Sequence, residues 1–200
     1  MMLDLQIETL TPGGRGLGRH GGMAVFVPGT APGDRVRCRV VRSRSRYAEA
    51  ELVEVLVAAP ERRQPPCPVF GRCGGCQWQH LPYALQADWK ERLFGEQLLR
   101  SGVGTPAALR PIVAAPAEWD YRNRVQFKCR QTPQGFVAGF YRQGSHYVVD
   151  VPCCRLAMPA IQAGYAGLRE LLPTAPNPAV LPQVDLAASD NGRITVLLHA

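Results

Sequence analysis

The sequence predicts an α+β fold in two parts, a small β-barrel followed by a mixed α+β domain. Three observations predict it. Residues 1–58 alternate short strand-like runs with glycine- and proline-bearing turns, the spacing of a small barrel. The stretch AAPERRQPPCP is rich in proline and charge and reads as a connector, which puts a boundary near residue 60 and domains at 1–59 and 60–200. Beyond it, helix-period and strand-period segments follow one another.

Within the barrel, LQIETL and MAVFVPG read as strands, with GGRGLGRHGG and TAPGD as turns. Gly16 to Gly21, GLGRHG, fits G-x-G-x-x-G, but strand-like runs flank it and no helix opens after it, so it reads as a turn rather than a phosphate loop. In RVRCRVVRSRSRY, Arg35, Arg37 and Arg39 share one face while Val36, Cys38 and Val40 share the other. After Val40 and Val41 the phase shifts by one, so that Arg42, Arg44 and Arg46 alternate in turn, as a β-bulge or strand end requires. Six arginines then line the outside of the barrel.

Past the connector, PYALQADWKERLFGEQLLRSG sets Leu85, Trp89 and Leu93 at i+4 steps with Phe94 and Leu98 beside them, between a proline and Gly102. This is an amphipathic helix weakened by Gly95. YRNRVQFKCR and GFVAGFYRQGSHYVVDV read as antiparallel strands, MPAIQAGYAGLRELL as a second helix, and VDLAASDNGRITVLLHA as a hairpin turning at Asp190, Asn191 and Gly192. The sequence stops on an apolar strand, which is expected of the front of something longer.

The net charge is +7, and it is uneven. Residues 1–66 hold 10 basic and 7 acidic groups and residues 118–155 hold 6 and 3, whereas residues 156–200 hold 2 and 3. Only Lys90 and Lys128 among the 23 basic residues are lysine, and arginine's planar fork suits phosphate. The charge permits a nucleic-acid partner. The first residues lack a basic start followed by an apolar run, and no run approaches membrane-spanning length, so a cytoplasmic monomer away from any membrane is expected. In that reducing setting the seven cysteines read as metal ligands or buried thiols before disulfides.

CPVFGRCGGCQWQH supplies three thiols, Cys67, Cys73 and Cys76, from one loop, and the glycines between the last two let the backbone turn and aim N–H groups at sulfur. Tetrahedral zinc and a [4Fe–4S] cluster both require a fourth ligand. Candidates are Cys38, Cys129, Cys153, Cys154 and, for zinc, His80. Cys38 faces the expected barrel core and Cys129 lies mid-strand, both as small buried hydrophobes would. Spacing alone leaves iron–sulfur and zinc open.

The cup CPVFGRCGGCQWQH, the helix after it, YRNRVQF, GFYRQGSHYVVDV and the arginine-rich opening barrel together resemble the RNA (uracil-5-) methyltransferases, which make 5-methyluridine in rRNA and tRNA. The resemblance implies an OB-like TRAM barrel that binds RNA, then a central α+β domain with a [4Fe–4S] cluster on Cys67, Cys73, Cys76 and Cys154, with zinc as the alternative. The family's last cluster cysteine is usually followed by proline, whereas Cys154 is followed by Arg155 and preceded by Cys153. The family reaction needs a cysteine nucleophile, a base and a site for S-adenosylmethionine. No motif for them is visible, so the catalytic domain is expected to be absent and the chain inactive by itself, with S-adenosylmethionine binding only in the missing part.

The RNA surface follows from two stretches. Arg122, Arg124, Lys128 and Arg130 fall at even positions with Tyr121 and Phe127 between them, and FYRQGSHY adds Tyr141, Arg142 and His146 in a turn. Cations neutralise phosphates and aromatic faces stack on splayed bases. A solvated sheet face would look the same, and the resemblance tips the reading to RNA, with Arg35, Arg37 and Arg39 on the barrel. The competing readings are a free-standing RNA-binding protein with a structural iron–sulfur or zinc site, and an electron carrier. The last lacks any flavin or nicotinamide fingerprint.

Overall fold

Residues Arg35–Ser43 form the strand that the alternating arginines predict, with Val36 and Cys38 fully buried and Arg35 and Arg39 exposed. In this computed structural model, which describes all 200 residues, that strand is β4 of a closed five-stranded barrel. Its partners are β1 (Met2–Leu10), β2 (Arg15–His20), β3 (Met23–Pro28) and β5 (Tyr47–Val57), ordered β1-β2-β3-β5-β4. The phase shift after Val40 is a bulge, because the register against β5 slips between Val40 and Arg42. Inward positions Leu3, Leu5, Ile7, Val25, Val27, Val36 and Cys38 fill the barrel.

The segment expected as a turn, GGRGLGRHGG, is instead mostly strand β2. Its alternate glycines point inward, where a side chain has no room: a Cβ at Gly16 would lie 2.0 Å from Thr30 Oγ1, and one at Gly18 2.4 Å from the Gln6 carbonyl oxygen. The glycines that suggest a turn are the residues that let the barrel close.

The chain divides into two compact units, Met1–Pro66 with Gln77–Ala114, and Cys67–Cys76 with Ala115–Ala200. The barrel strands end at Val57, close to the expected boundary, but helix α1 (Tyr83–Arg100) belongs with the barrel. The reason is a hydrophobic cluster in which Leu81 and Leu93, flanked by Trp78, Leu85 and Trp89, meet Leu10, Ala31 and Ala59 at the barrel's strand ends. Phe94, expected on the packed face, is 62% exposed. Beside this cluster the buried Asp34 accepts N–H bonds from Ala31 at 2.7 Å and Ala59 at 2.9 Å and an ion pair from Arg62 at 2.5 Å.

In the second unit a five-stranded antiparallel sheet runs β10-β9-β6-β7-β8, made of β6 (Arg124–Thr132), β7 (Gly135–Tyr141), β8 (Val148–Asp150), β9 (Gln183–Ala188) and β10 (Ile194–His199). Helix α2 (Pro159–Leu171) covers one face through Ile161 and Tyr165, against Val125, Phe127, Cys129, Val184 and Leu186. The Tyr165 ring stacks on Phe127 at 3.6 Å with planes 5° apart. Its hydroxyl donates to the Ala138 carbonyl at 2.7 Å, while Arg169 forks onto Asp150 at 2.7 and 2.8 Å. No helix is long and apolar enough to cross a membrane.

Candidate functional site

The loop Cys67–Cys76 is held by its own backbone and by the sheet. Cys73 and Arg72 both donate N–H bonds to the Val69 carbonyl, at 2.9 and 3.1 Å, and Phe70 donates to Cys67 at 3.1 Å. Val69 is buried with Val149 and Val151, and Cys67 and Cys73 pack around that cluster with Phe140. Cys73 also forms an isolated antiparallel bridge with Arg142, and Gly74 N–H donates to the Tyr141 carbonyl at 2.9 Å. A Cβ at Gly74 would lie 2.8 Å from that oxygen and 3.0 Å from Gln143 N, so only glycine lets the loop lie against the strand end.

Cys154 belongs to the same unit and lies within electrostatic reach of Cys67. Burial pushes the Cys73 thiol up; the Gly75 N–H, 3.4 Å from the sulfur, opposes this, and Cys76, Cys67 and Cys154 add to the rise by their charge. Burial also pushes Cys154 up, against N–H bonds from Leu156 and Ala157, with Cys67 within electrostatic reach. Cys67 and Cys73 thus pack on the Val69, Val149 and Val151 cluster, Cys154 packs against the core under α2, and Cys153 is exposed. No three His, Cys, Asp or Glu side chains stand together at the spacing of a single bound ion. Thiols with amide donors beside Cys73 and Cys154 are the kind of donor an iron–sulfur group takes.

The other candidates for the fourth ligand lie elsewhere. His80 is fully buried in the first unit, with Nε2 3.0 Å from the Thr30 carbonyl, and burial lowers its pKa to about 4. Cys38 is inside the barrel and Cys129 inside the sheet core, where burial pushes its thiol up to about 11. A thiol so reluctant to ionise is a packing group, not a nucleophile.

On the sheet face away from α2, Arg124, Gln126 and Arg130 are exposed and Lys128 is half-buried. Arg122 precedes the strand, in a bridge with Ala157, and shares with Arg124, Val125, Gln126 and Phe140 a concavity of about 500 Å³. Asp185 on β9 answers part of this charge: Arg124 reaches it at 3.4 Å and Gln126 at 2.8 Å, while Lys128 bonds Gln183. Phe127, expected as a stacking ring, is 1% exposed and belongs to the core. The accessible rings are Tyr121 and Tyr147, 54% and 65% exposed, and Tyr141, whose ring meets His146 edge-on at 5.4 Å under Lys128 Nζ at 5.7 Å. Arg142 is exposed in the same turn.

The barrel arginines divide. Arg37 forks onto Asp4 with both bonds at 2.8 Å, and Arg39 reaches Glu51 at 2.6 Å. Arg35 lies near enough to Asp4 to help lower its pKa, a shift led by the Arg37 hydrogen bond. Of the three predicted RNA contacts of the barrel, Arg37 and Arg39 are paired with carboxylates and Arg35 lies only within electrostatic reach of Asp4. Arg42, Arg44 and Arg46, which share the predicted outer surface, are exposed.

Comparison with known proteins defines the class first. Residues 2–53 match the TRAM domain, so this is a TRAM-barrel chain joined to an α+β unit. It is 38% identical over 170 residues to an uncharacterized RNA methyltransferase of Thermosynechococcus vestitus, covering 85% of this chain and 38% of the relative. It is 35% identical over 201 residues to the 23S rRNA (uracil(1939)-C(5))-methyltransferase RlmD of Bordetella parapertussis, covering 99% of this chain and 43% of that one. The fold matches a Pyrococcus abyssi tRNA (uracil-54, C5)-methyltransferase solved with S-adenosyl-L-homocysteine, at a TM-score of 0.68 and 22% identity over 98% of this chain and 45% of that one. Along most of its own length the chain is similar to RNA methyltransferases, including a uracil-C5 one. It spans less than half the length of these relatives.

One expectation is corrected by these matches. The chain was expected to lack the catalytic part and to be inactive alone, but the methyltransferase relative matches it along 99% of its length. The missing-domain reading is therefore withdrawn. The absence of a recognisable motif is a poor guide, because nucleophile and base are brought together in space rather than marked by spacing.

Proposed function

We propose that this chain serves S-adenosylmethionine-dependent methylation of uracil C5 in RNA, with rRNA or tRNA as substrate. The observation that carries the reading is the 35% identity to a 23S rRNA uracil-C5 methyltransferase along 99% of the chain. The TRAM barrel and the cationic face of β6 supply RNA contacts. Arg122 and Arg124 in their shared concavity, with Lys128 and Arg142, meet phosphates, and Tyr141 with His146 offers a ring for an unstacked base.

In this proposal Cys67, Cys73, Cys76 and Cys154 hold a [4Fe–4S] cluster, with zinc as the alternative. Bound there, the group would supply a cross-link between the loop and the segment after β8. The chain's own residues do the rest: Val69, Val149 and Val151 keep the neighbourhood apolar, and the Gly75, Leu156 and Ala157 amides face sulfur.

The test is genetic and analytical. Deleting the gene should remove one 5-methyluridine from rRNA or tRNA, measured by nucleoside mass spectrometry. An unchanged 5-methyluridine content in both RNA pools would overturn the assignment. Anaerobically purified protein should carry iron and sulfide, lose them in Cys154→Ala and keep them in Cys153→Ala. Stoichiometric zinc without iron would replace the cluster with the alternative.

A further inference from the structure

The barrel's carboxylates are distributed so that the run from Arg42 to Arg46 is left over, while Arg35, with no ion pair, stays within electrostatic reach of Asp4. Asp4 and Glu54 face Arg37, at 2.8 and 3.9 Å, Glu51 faces Arg39, and Glu49 takes Arg15 at 3.2 Å. Glu8 stands 3.7 Å from Arg19, and the buried Asp34 takes Arg62. Arg42, Arg44 and Arg46 form no ion pair, and all three are exposed. They lie at the end of β4 and in the turn to β5, where the Arg44 N–H donates to the Tyr47 carbonyl at 2.8 Å and closes the turn.

The parallel pairing of β3 with β5 sets Ala24 opposite Tyr47, and the β2–β3 hairpin pairs Arg19 with Ala24 and His20 with Met23. The hairpin end carrying Arg19 and His20 is thus brought beside the arginine turn, at one end of the barrel. Two rings lie next to it, Phe26 and Tyr47, edge-on at 5.8 Å. Three like charges within five residues repel one another, and an anion that bridges them removes the repulsion. The arginine fork fits phosphate oxygens bidentately, and neighbouring rings favour a partner with planar bases over a simple acidic peptide.

We propose that Arg42, Arg44 and Arg46 form the barrel's contact with the sugar-phosphate backbone of RNA, in place of Arg35, Arg37 and Arg39. This rests on the RNA reading above and deepens it by assigning the surface.

The test is a salt titration of binding to a fluorescein-labelled single-stranded RNA, read by anisotropy with the whole chain. Each phosphate neutralised on single-stranded RNA contributes ~0.7 to the slope of log affinity against log salt, so Arg42→Gln/Arg44→Gln/Arg46→Gln should lower the slope by about 2. The corresponding lysine triple should restore it. Arg35→Gln/Arg37→Gln/Arg39→Gln should leave the slope unchanged. A slope unaltered by the 42/44/46 glutamines, or one lowered as much by the 35/37/39 set, overturns the assignment. If the parent chain binds RNA and only Arg122 and Arg124 substitutions move the slope, this surface falls while the RNA reading stands. If the parent chain binds no RNA, both fall together. Thermal melting of each variant checks folding, and the three exposed, unpaired side chains should leave it unchanged.

Discussion

Strands β4 and β6 are written in one pattern, cation then hydrophobe in alternation, yet they present different surfaces. On β4 the cross-strand neighbours are Asp4 from β1 and Glu51 from β5, so Arg37 and Arg39 are discharged where they stand. On β6 the outward neighbours from β9 are Gln183 and Asp185, and those from β7 include Gly139 and Val137, so one carboxylate answers a strand of cations. Alternation decides which face a side chain takes, and the paired strand decides whether its charge survives. The inner faces differ as well. The barrel is filled by valine, leucine and alanine, while the sheet rests on a stack of Phe127 and Tyr165.

The largest effect expected tests that inner face. Phe127→Ala removes a buried ring stacked on Tyr165 and should cost about 3–5 kcal/mol, enough to unfold the second unit. Denaturant unfolding reads it. A small loss, with the loss instead in RNA affinity, would return Phe127 to the binding surface.

Acid should separate the two units. His80 has its folded pKa lowered by burial to about 4 from 6.5, so the unfolded chain takes up the proton first. The stability it contributes is whole above pH 6.5 and is lost as pH falls from there to about 4, by roughly 3 kcal/mol. In the second unit Asp150 has its pKa lowered chiefly by the Arg169 hydrogen bond, so its contribution is kept above the unfolded value of 3.8 and lost only below it. Hydrogen exchange at pH 5 should therefore open peptides of 1–66 and 77–114 before those of 115–200. The reverse order would break the contrast.

Smaller effects sharpen the contrast between outer faces. Tyr141→Ala should cost ~1–3 kcal/mol in RNA binding with the salt slope unchanged, whereas Arg124→Ala should lower the slope by ~0.7, both read by anisotropy. A Tyr141 variant that changes the slope would make its ring a support for Lys128 rather than a base contact. The smallest effect belongs to Asp4→Asn, which frees Arg37 at the surface. Its melting temperature should stay within error of the parent, because exposed ion pairs contribute little. Its RNA affinity should rise if freeing an arginine is all that the 35/37/39 face lacks.

Much of this was legible in the sequence. The phase shift after Val40 predicted the bulge and Asp190-Asn191-Gly192 predicted the last hairpin, because each is a local pattern. What escaped was set by packing across long separations. Strand β2 looked like a turn because its glycines are demanded by Gln6 on the paired strand β1 and Thr30 just beyond β3, which crowd their inward side. Helix α1 looked like part of the second domain because nothing in its own residues names Leu10, Ala31 and Ala59 as partners. The arginines of β4 looked alike because their carboxylates lie on other strands.

The loop Cys67–Cys76 is received by residues made well after it. Cys154 follows Cys76 by about eighty residues, and the strand end that receives Gly74 precedes it only narrowly. At about 5–20 residues per second, a ribosome needs roughly 4–16 s to cover that interval. Between the two halves of the second unit it makes residues 77–114, which complete the first unit. The barrel and its helix can thus be finished before the loop meets its partners in the second unit. Any group proposed to be held by all four thiols would then have to wait until residue 154 has been made.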